Sequence, residues 1–182
     1  MKRFVTPVLA LTLVSALAIA AGVKSGLDIG EPTTAFNVKD VTGPSAGKSL
    51  CYRCQYGARP VSCIFTREIT EEVAALIQQI DQTVGANKSK DMKGFVVLLT
   101  NNADEGAKQL AKLAADKGIK NVPLTVFDGV AGPEKYKIAK DAAVTVLMWN
   151  KSRVQVNHSF ANAKISADDL TKITGDTAKI LN

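Results

Sequence analysis

The sequence predicts an α/β fold: a central mixed sheet built on parallel strand-helix-strand units, with an inserted helix and strand and a C-terminal β-hairpin followed by a helix. Three observations carry this. Compact apolar runs, of the kind buried on both faces of a parallel sheet, recur at Val61 to Thr66, Phe95 to Thr100 and Val122 to Phe127. Stretches with helical apolar spacing separate them. Near the end, Ala143 to Trp149 and Arg153 to His158 flank the tight turn Asn150-Lys151-Ser152, which reads as an antiparallel hairpin.

The chain opens Met1-Lys2-Arg3, runs uncharged from Phe4 to Ala21 and passes through Ala18-Ile19-Ala20. A charged start, an apolar middle and a small-residue close are the pattern of a secretory signal peptide. Residues 1–20 are therefore expected to be cleaved, the protein to be exported, and no stable membrane span to remain. Residues 21–32 read as a flexible segment, and 33–182 as one domain, long enough to bury a core without cross-links.

Within the domain, Thr33 to Val41 alternates and reads as a short edge strand, and Thr42 to Lys48 is loop chemistry. Ser49 to Gly57 has no clear period. After the run at Val61, Thr70 with Glu71 and Glu72 makes an N-cap with acids at the positive end of a helix. Val73, Leu76, Ile77, Ile80 and Val84 extend that helix to about Thr83, with Gly85 as its stop. Asp104 to Lys117 is a second amphipathic helix closed by Gly118. Pro133 to Lys140 reads as a short helix, and Ser166-Ala167-Asp168-Asp169 caps a last one reaching Ile180.

The formal charge is +6, of which Lys2 and Arg3 supply two. The remaining lysines are scattered among acids, with no basic stripe interleaved with aromatics, so a nucleic-acid partner is not expected. Cysteine usage says more. Cys51 and Cys54 form a C-x-x-C pair and Cys63 is the odd thiol in an exported chain. The pair reads as a reversible redox couple, a static disulfide or half of a metal site. In the first reading Arg53, between the cysteines, stabilises a thiolate, with Arg59 downstream. A closed zinc site wants four ligands, and only Cys63 and His158 could add to the pair, so no metal and no cofactor are assigned. Gln55 after Cys54 excludes the usual haem attachment. Cys63 inside its apolar run reads as a buried hydrophobe, His158 as a solvated strand end, and Trp149 and Phe127 as core or near-core residues.

The element order resembles the thioredoxin-like superfamily, and within it the redoxin group of exported thiol-disulfide proteins and peroxiredoxins. The stretch Asp104 to Phe127 matches the helix and strand inserted between the two halves of that fold. Asn121 to Gly129 followed by Tyr136-Lys137-Ile138 is similar to the family's strand and Tyr-containing helix before the last hairpin. The resemblance spans Thr33 to Leu181. It implies a reactive cysteine at the helix start after the first core strand, but Thr66 to Val73 contains none. It implies a cis-proline before the hairpin, but Ala142-Ala143-Val144-Thr145 stands there. The family's usual site is therefore expected to be degenerate. The chemistry is expected to move to Cys51 and Cys54, exchanging disulfides with protein thiols. The alternatives are a non-catalytic binding or structural domain with a static disulfide, or Cys-based metal binding. The sequence sets no oligomeric state.

Overall fold

The structure is a computed structural model that describes residues 23–182, so the signal-peptide reading of residues 1–20 lies outside the described residues. Seven strands form one mixed sheet: β1 (Val38–Asp40), β2 (Ser49–Leu50), β3 (Val61–Thr66), β4 (Lys93–Thr100), β5 (Leu124–Asp128), β6 (Val144–Asn150) and β7 (Arg153–Phe160). Their order across the sheet is β2-β1-β5-β4-β3-β6-β7. The β3/β4 and β4/β5 pairs are parallel, and the other neighbours are antiparallel. No helix of the described residues is long and apolar enough to cross a membrane.

Two successive right-handed crossovers stepping in one direction put their helices on the same face. That face carries α2 (Glu71–Ala86) and α3 (Ala103–Lys117), joined by the final helix. Ile64, Leu76, Ile77, Ile80, Val96, Leu110 and Ile173 are among the buried residues there. Among the described residues the opposite face has no long helix. Its layer is a five-residue helix α1 (Tyr52–Tyr56), a single 3-10 turn at Glu134–Tyr136 and extended chain from the N-terminal side. These bury an aromatic layer of Phe36, Tyr52, Tyr56, Phe65, Phe95, Tyr136 and Trp149, with ring centroids 4.7 to 6.1 Å apart. Phe127 is half-buried at its margin.

Several expectations are corrected. Residues 23–32 are not a free segment. Ser25 and Leu27 are buried, Asn157 Nδ2 donates to both of their carbonyls at 2.8 and 2.9 Å, and the Gly30 N–H donates to Val154 O at 2.8 Å. What fixes this strap is hydrogen bonding from β7, which leaves no periodicity in the strap itself. β1 is not an edge strand, because β2 pairs outside it. Gly85 lies inside α2, which ends at Ala86. A Cβ at Gly85 would sit 2.9 Å from Asn121 Nδ2, so this glycine marks a close approach and not a stop. The helix expected over 133–140 shrinks to the one 3-10 turn, because Lys137 takes the left-handed conformation at φ 55°.

The last helix, α4 (Ala167–Asp176), starts with the expected cap: the Ser166 and Asp169 side chains each accept from the other's backbone N–H. Its C-terminal residue Asp176 binds His158, so His158 is not the solvated strand end expected of it. The contact is 2.9 Å with both side chains largely buried, and Lys179 Nζ lies 2.7 Å from the same carboxylate. Burial works to raise the Asp176 pKa, but the hydrogen bonds from Lys179 and His158 outweigh it and hold the carboxyl below its usual value. A depressed carboxylate stabilises the folded state above its unfolded pKa and loses that contribution as pH falls through the folded value. Asp176→Asn is therefore expected to cost about 1 kcal/mol at neutral pH. In thermal melts at successively lower pH, the gap from wild type should close below about pH 4.

Candidate functional site

The two cysteines lie where the edge of the sheet hands over to the short helix. Leu50 is pinned opposite Val38, Cys51 follows in extended conformation, and Tyr52 starts α1. Cys51 Sγ accepts the Cys54 N–H at 3.1 Å, taking the place of the usual oxygen cap. The sulfurs are joined in a disulfide with Cα atoms 5.2 Å apart. Cys54 is exposed and Cys51 is half-buried. Gly57 ends the helix at φ 59°, a left-handed value that favours glycine, and its N–H donates to Arg53 O.

What holds this five-residue helix is the first of the two residues between the cysteines. Tyr52 is buried, stacks near Phe95 with centroids 5.7 Å apart, and its hydroxyl donates to Asp40 Oδ2 at 2.7 Å. Burial, then the hydrogen bond to Asp40, pushes the phenol pKa far up, so it stays a donor. Asp40 is itself buried at the end of β1 and accepts the N–H groups of Gly43 and Ser45, each at 2.8 Å. A Cβ at Gly43 would run into the Tyr52 hydroxyl and lie 2.7 Å from Asp40 Oδ2, so glycine is what lets loop, acid and phenol meet. Neither Asp40 nor Tyr52 was a sequence-predicted site residue. The available signal was an acid at a strand end followed by Thr-Gly-Pro-Ser, the spacing of a side chain folding back on its own loop.

Among the described residues the hydrogen bond of Arg53 runs from Nε to Thr33 Oγ1 at 3.2 Å, not to either sulfur. Arg59 is engaged by Asp91 at 2.5 Å and donates to Gln55 O and Tyr56 O, tying the end of α1 to the chain before β4. Cys63 is fully buried in β3 on the face that α1 covers, and desolvation raises its thiol pKa well above normal, so it is inert as an exchanging thiol. His158 belongs to β7, at the opposite edge of the sheet from β2 and Cys51. Among the described residues no three His, Cys, Asp or Glu side chains gather as a metal would need.

At the β3–α2 junction, the place the family resemblance assigns to a reactive cysteine, Thr66 Oγ1 donates to Glu68 O at 2.7 Å and Thr70 caps α2. The Arg67 guanidinium donates to Val130 O at 3.0 Å and also to Ala142 O, binding the β5–β6 connection to this corner. Among the described residues there is no cis peptide bond. The expectation of a degenerate site is corrected all the same: a C-x-x-C motif is present, its disulfide is formed and Cys54 is an exposed residue. What differs is the element that carries it.

No protein-family model matches the chain, and no curated protein matches it either. Solved structures do. A putative thiol:disulfide interchange protein DsbE from Chlorobium tepidum superposes with a TM-score of 0.67 at 14% identity, covering 86% of this chain and 99% of that one. A putative protein disulfide isomerase from Bacteroides thetaiotaomicron gives 0.65 at 14% identity, covering 86% and 92%. The reduced 2-Cys peroxiredoxin of Plasmodium vivax gives 0.57 at 16%, covering 82% and 81%. Matches at this identity establish architecture and not activity. Together with the strand order of the sheet, they identify the fold as thioredoxin-like.

Proposed function

We propose that this protein exchanges disulfides with protein thiols through Cys51 and Cys54 in an exported compartment, with the Arg53 charge favouring the thiolate. The observation that carries the reading is a formed, partly solvent-open C-x-x-C disulfide on a thioredoxin-like scaffold. In one turnover a substrate thiolate attacks one sulfur of the pair and the other leaves as a thiolate. The substrate's second thiolate then attacks its own sulfur in the mixed disulfide. The substrate leaves oxidised, with one disulfide and two electrons fewer, and Cys51 and Cys54 hold the dithiol. Run backwards, the same steps reduce a substrate disulfide. Export rests on the Met1 to Ala21 pattern.

The test is turnover of insulin disulfides by the dithiothreitol-charged protein lacking residues 1–20. Cys51→Ser and Cys54→Ser are each expected to bring the rate down to that of dithiothreitol alone, with Trp149 fluorescence reporting an intact core. Retention of the wild-type rate in either variant overturns the proposal.

A second reading, a static disulfide, is favoured by the cysteine-free β3–α2 junction and by the bond that turns Arg53 toward Thr33. It predicts no turnover in the wild type and a stability loss of about 2 kcal/mol in either variant.

A further inference from the structure

Resting on that exchange reading, we infer that the substrate is a protein with an acidic segment beside its cysteine, which docks on a basic end of the sheet and seats a carboxylate in the cleft there. The fold gathers this end from lysines scattered through the sequence. Parallel pairing puts the starts of β3, β4 and β5 together, and the antiparallel strands β1 and β6 finish beside them. The connections at that end are residues 41–48, 57–60, 87–92, 118–123 and 151–152. They carry Lys48, Arg59, Lys88, Lys90, Lys120 and Lys151, all exposed, and Asp91 is their one acid. Asp91 is already spanned by Arg59 at 2.5 Å and Lys93 at 2.6 Å. Lys48, Lys88, Lys90, Lys120 and Lys151 form no ion pair among the described residues. α2, α3 and α4 begin at the opposite end, where their first turns hold Glu71, Glu72, Asp104, Glu105, Asp168 and Asp169.

Helix dipoles do not account for this excess of cations. α2 has no basic residue in its last turn, and the one in α3, Lys117, pairs with Glu71. What the end offers an anion is a field and a seat. A cleft of about 330 Å³ opens between the β1–β2 turn, Tyr56 of α1 and the chain entering β5, with Lys93 and Lys120 in its walls. A carboxylate entering it meets two ammonium groups, and the lysines around the cleft steer it in. The cysteine pair is close by. The last turn of α1 is tied into this end by Arg59 on Gln55 O and by the Lys151 N–H on Ala58 O at 3.0 Å. The whole of α1 is only about 7.5 Å long, so exposed Cys54 stands within roughly one turn of the patch. A protein fits this end better than a lipid surface does. The large apolar side chains exposed among the described residues are Ile29 and Val130, and neither lies in these connections, so the end has none to insert beside its charge.

The test measures how fast single-cysteine peptides open the disulfide of the oxidised protein lacking residues 1–20. Three peptides differ only in the residues flanking the cysteine, which are Glu, Lys or Ser. Acidic flanks raise a thiol pKa and basic flanks lower it, so each rate is divided by that peptide's rate with glutathione disulfide. The expected result is a Glu-flanked peptide at least roughly tenfold faster than the Lys-flanked one at about 20 mM salt, the ratio falling toward one at about 0.5 M. The combined variant Lys88→Glu, Lys90→Glu, Lys120→Glu and Lys151→Glu inverts the order, and Lys135→Glu with Lys140→Glu at the far end keeps it. Trp149 fluorescence reports the fold of both. Should the combined variant unfold, Lys120→Glu alone is expected to lower the ratio about threefold. Equal rates for the three peptides overturn the docking inference and leave the exchange reading standing. Equal rates together with binding to phosphatidylglycerol vesicles overturn it too, and assign this end to lipid. No opening by any of the three peptides overturns the exchange reading, and this inference with it.

Discussion

Asp81→Ala is expected to destabilise the protein by about 3 kcal/mol, lowering Tm by roughly 10 °C. Asp81 is a carboxylate on the apolar side of α2, 5% exposed, and it organises a loop 40 residues away. Its Oδ1 accepts the backbone N–H groups of Lys120, Asn121 and Val122 at 3.0, 2.6 and 2.9 Å, and its Oδ2 accepts from Asn121 Nδ2 at 3.0 Å. Alanine leaves those donors in the turn that feeds β5 without an acceptor, and a buried donor left unsatisfied costs more than a hydrogen bond is worth when made. Asp81→Asn keeps one acceptor oxygen and should lose about half as much. Denaturant melts followed through Trp149, the single tryptophan, measure both. Equal stability of Asp81→Ala and wild type would contradict this role.

Asp40→Ala is the second large effect. It removes the acceptor for Gly43, Ser45 and Tyr52 at once, and about 3 kcal/mol of stability should go with it. Its second consequence is local. With Tyr52 no longer anchored, the turn between the cysteines loosens and Cys51 loses its cover, so reduction of the disulfide by dithiothreitol should speed up. Tyr52→Phe separates the two contributions. It keeps the ring against Phe95 and deletes only the hydroxyl bond to a buried carboxylate, for a loss of about 1.5–3 kcal/mol. A Phe variant as stable as wild type would show that the ring alone seats α1.

The fold was legible wherever local sequence and tertiary structure ask for the same thing. Val61 to Thr66 is apolar because β3 is buried on both faces, and its bounds are those expected. Thr70, Gly118 and Ser166 cap helices that begin or end where their chemistry says. The failures share one cause. α1 has no apolar period because one buried residue, Tyr52, seats it, and a two-residue strand such as β2 is too short to leave a pattern. The strap before Thr33 is fixed by side chains on β7, and Gly85 is explained only by Asn121 across the helix-sheet boundary. At the site the cysteine pair was plain from spacing, whereas the Asp40–Tyr52 anchor joins residues 12 positions apart and needs the β1–β2 turn to bring them together. Arg53 is legible only as a charge next to both cysteines; that its Nε donates to Thr33 Oγ1 depends on where Thr33 packs, which adjacency in sequence does not show.

The central claim is that Cys51 and Cys54 form a reversible couple. The direct measurement is an alkylation-quenched redox titration of the protein lacking residues 1–20, with mass spectrometry locating the protected cysteines at each potential. The predicted result is a Cys51–Cys54 disulfide opening between about −270 and −120 mV, the span of known exchange proteins, while Cys63 stays reduced and unlinked throughout. A bond that stays closed below about −300 mV, or no bond at all, would contradict the claim and leave the C-x-x-C a structural staple or an unpaired dithiol.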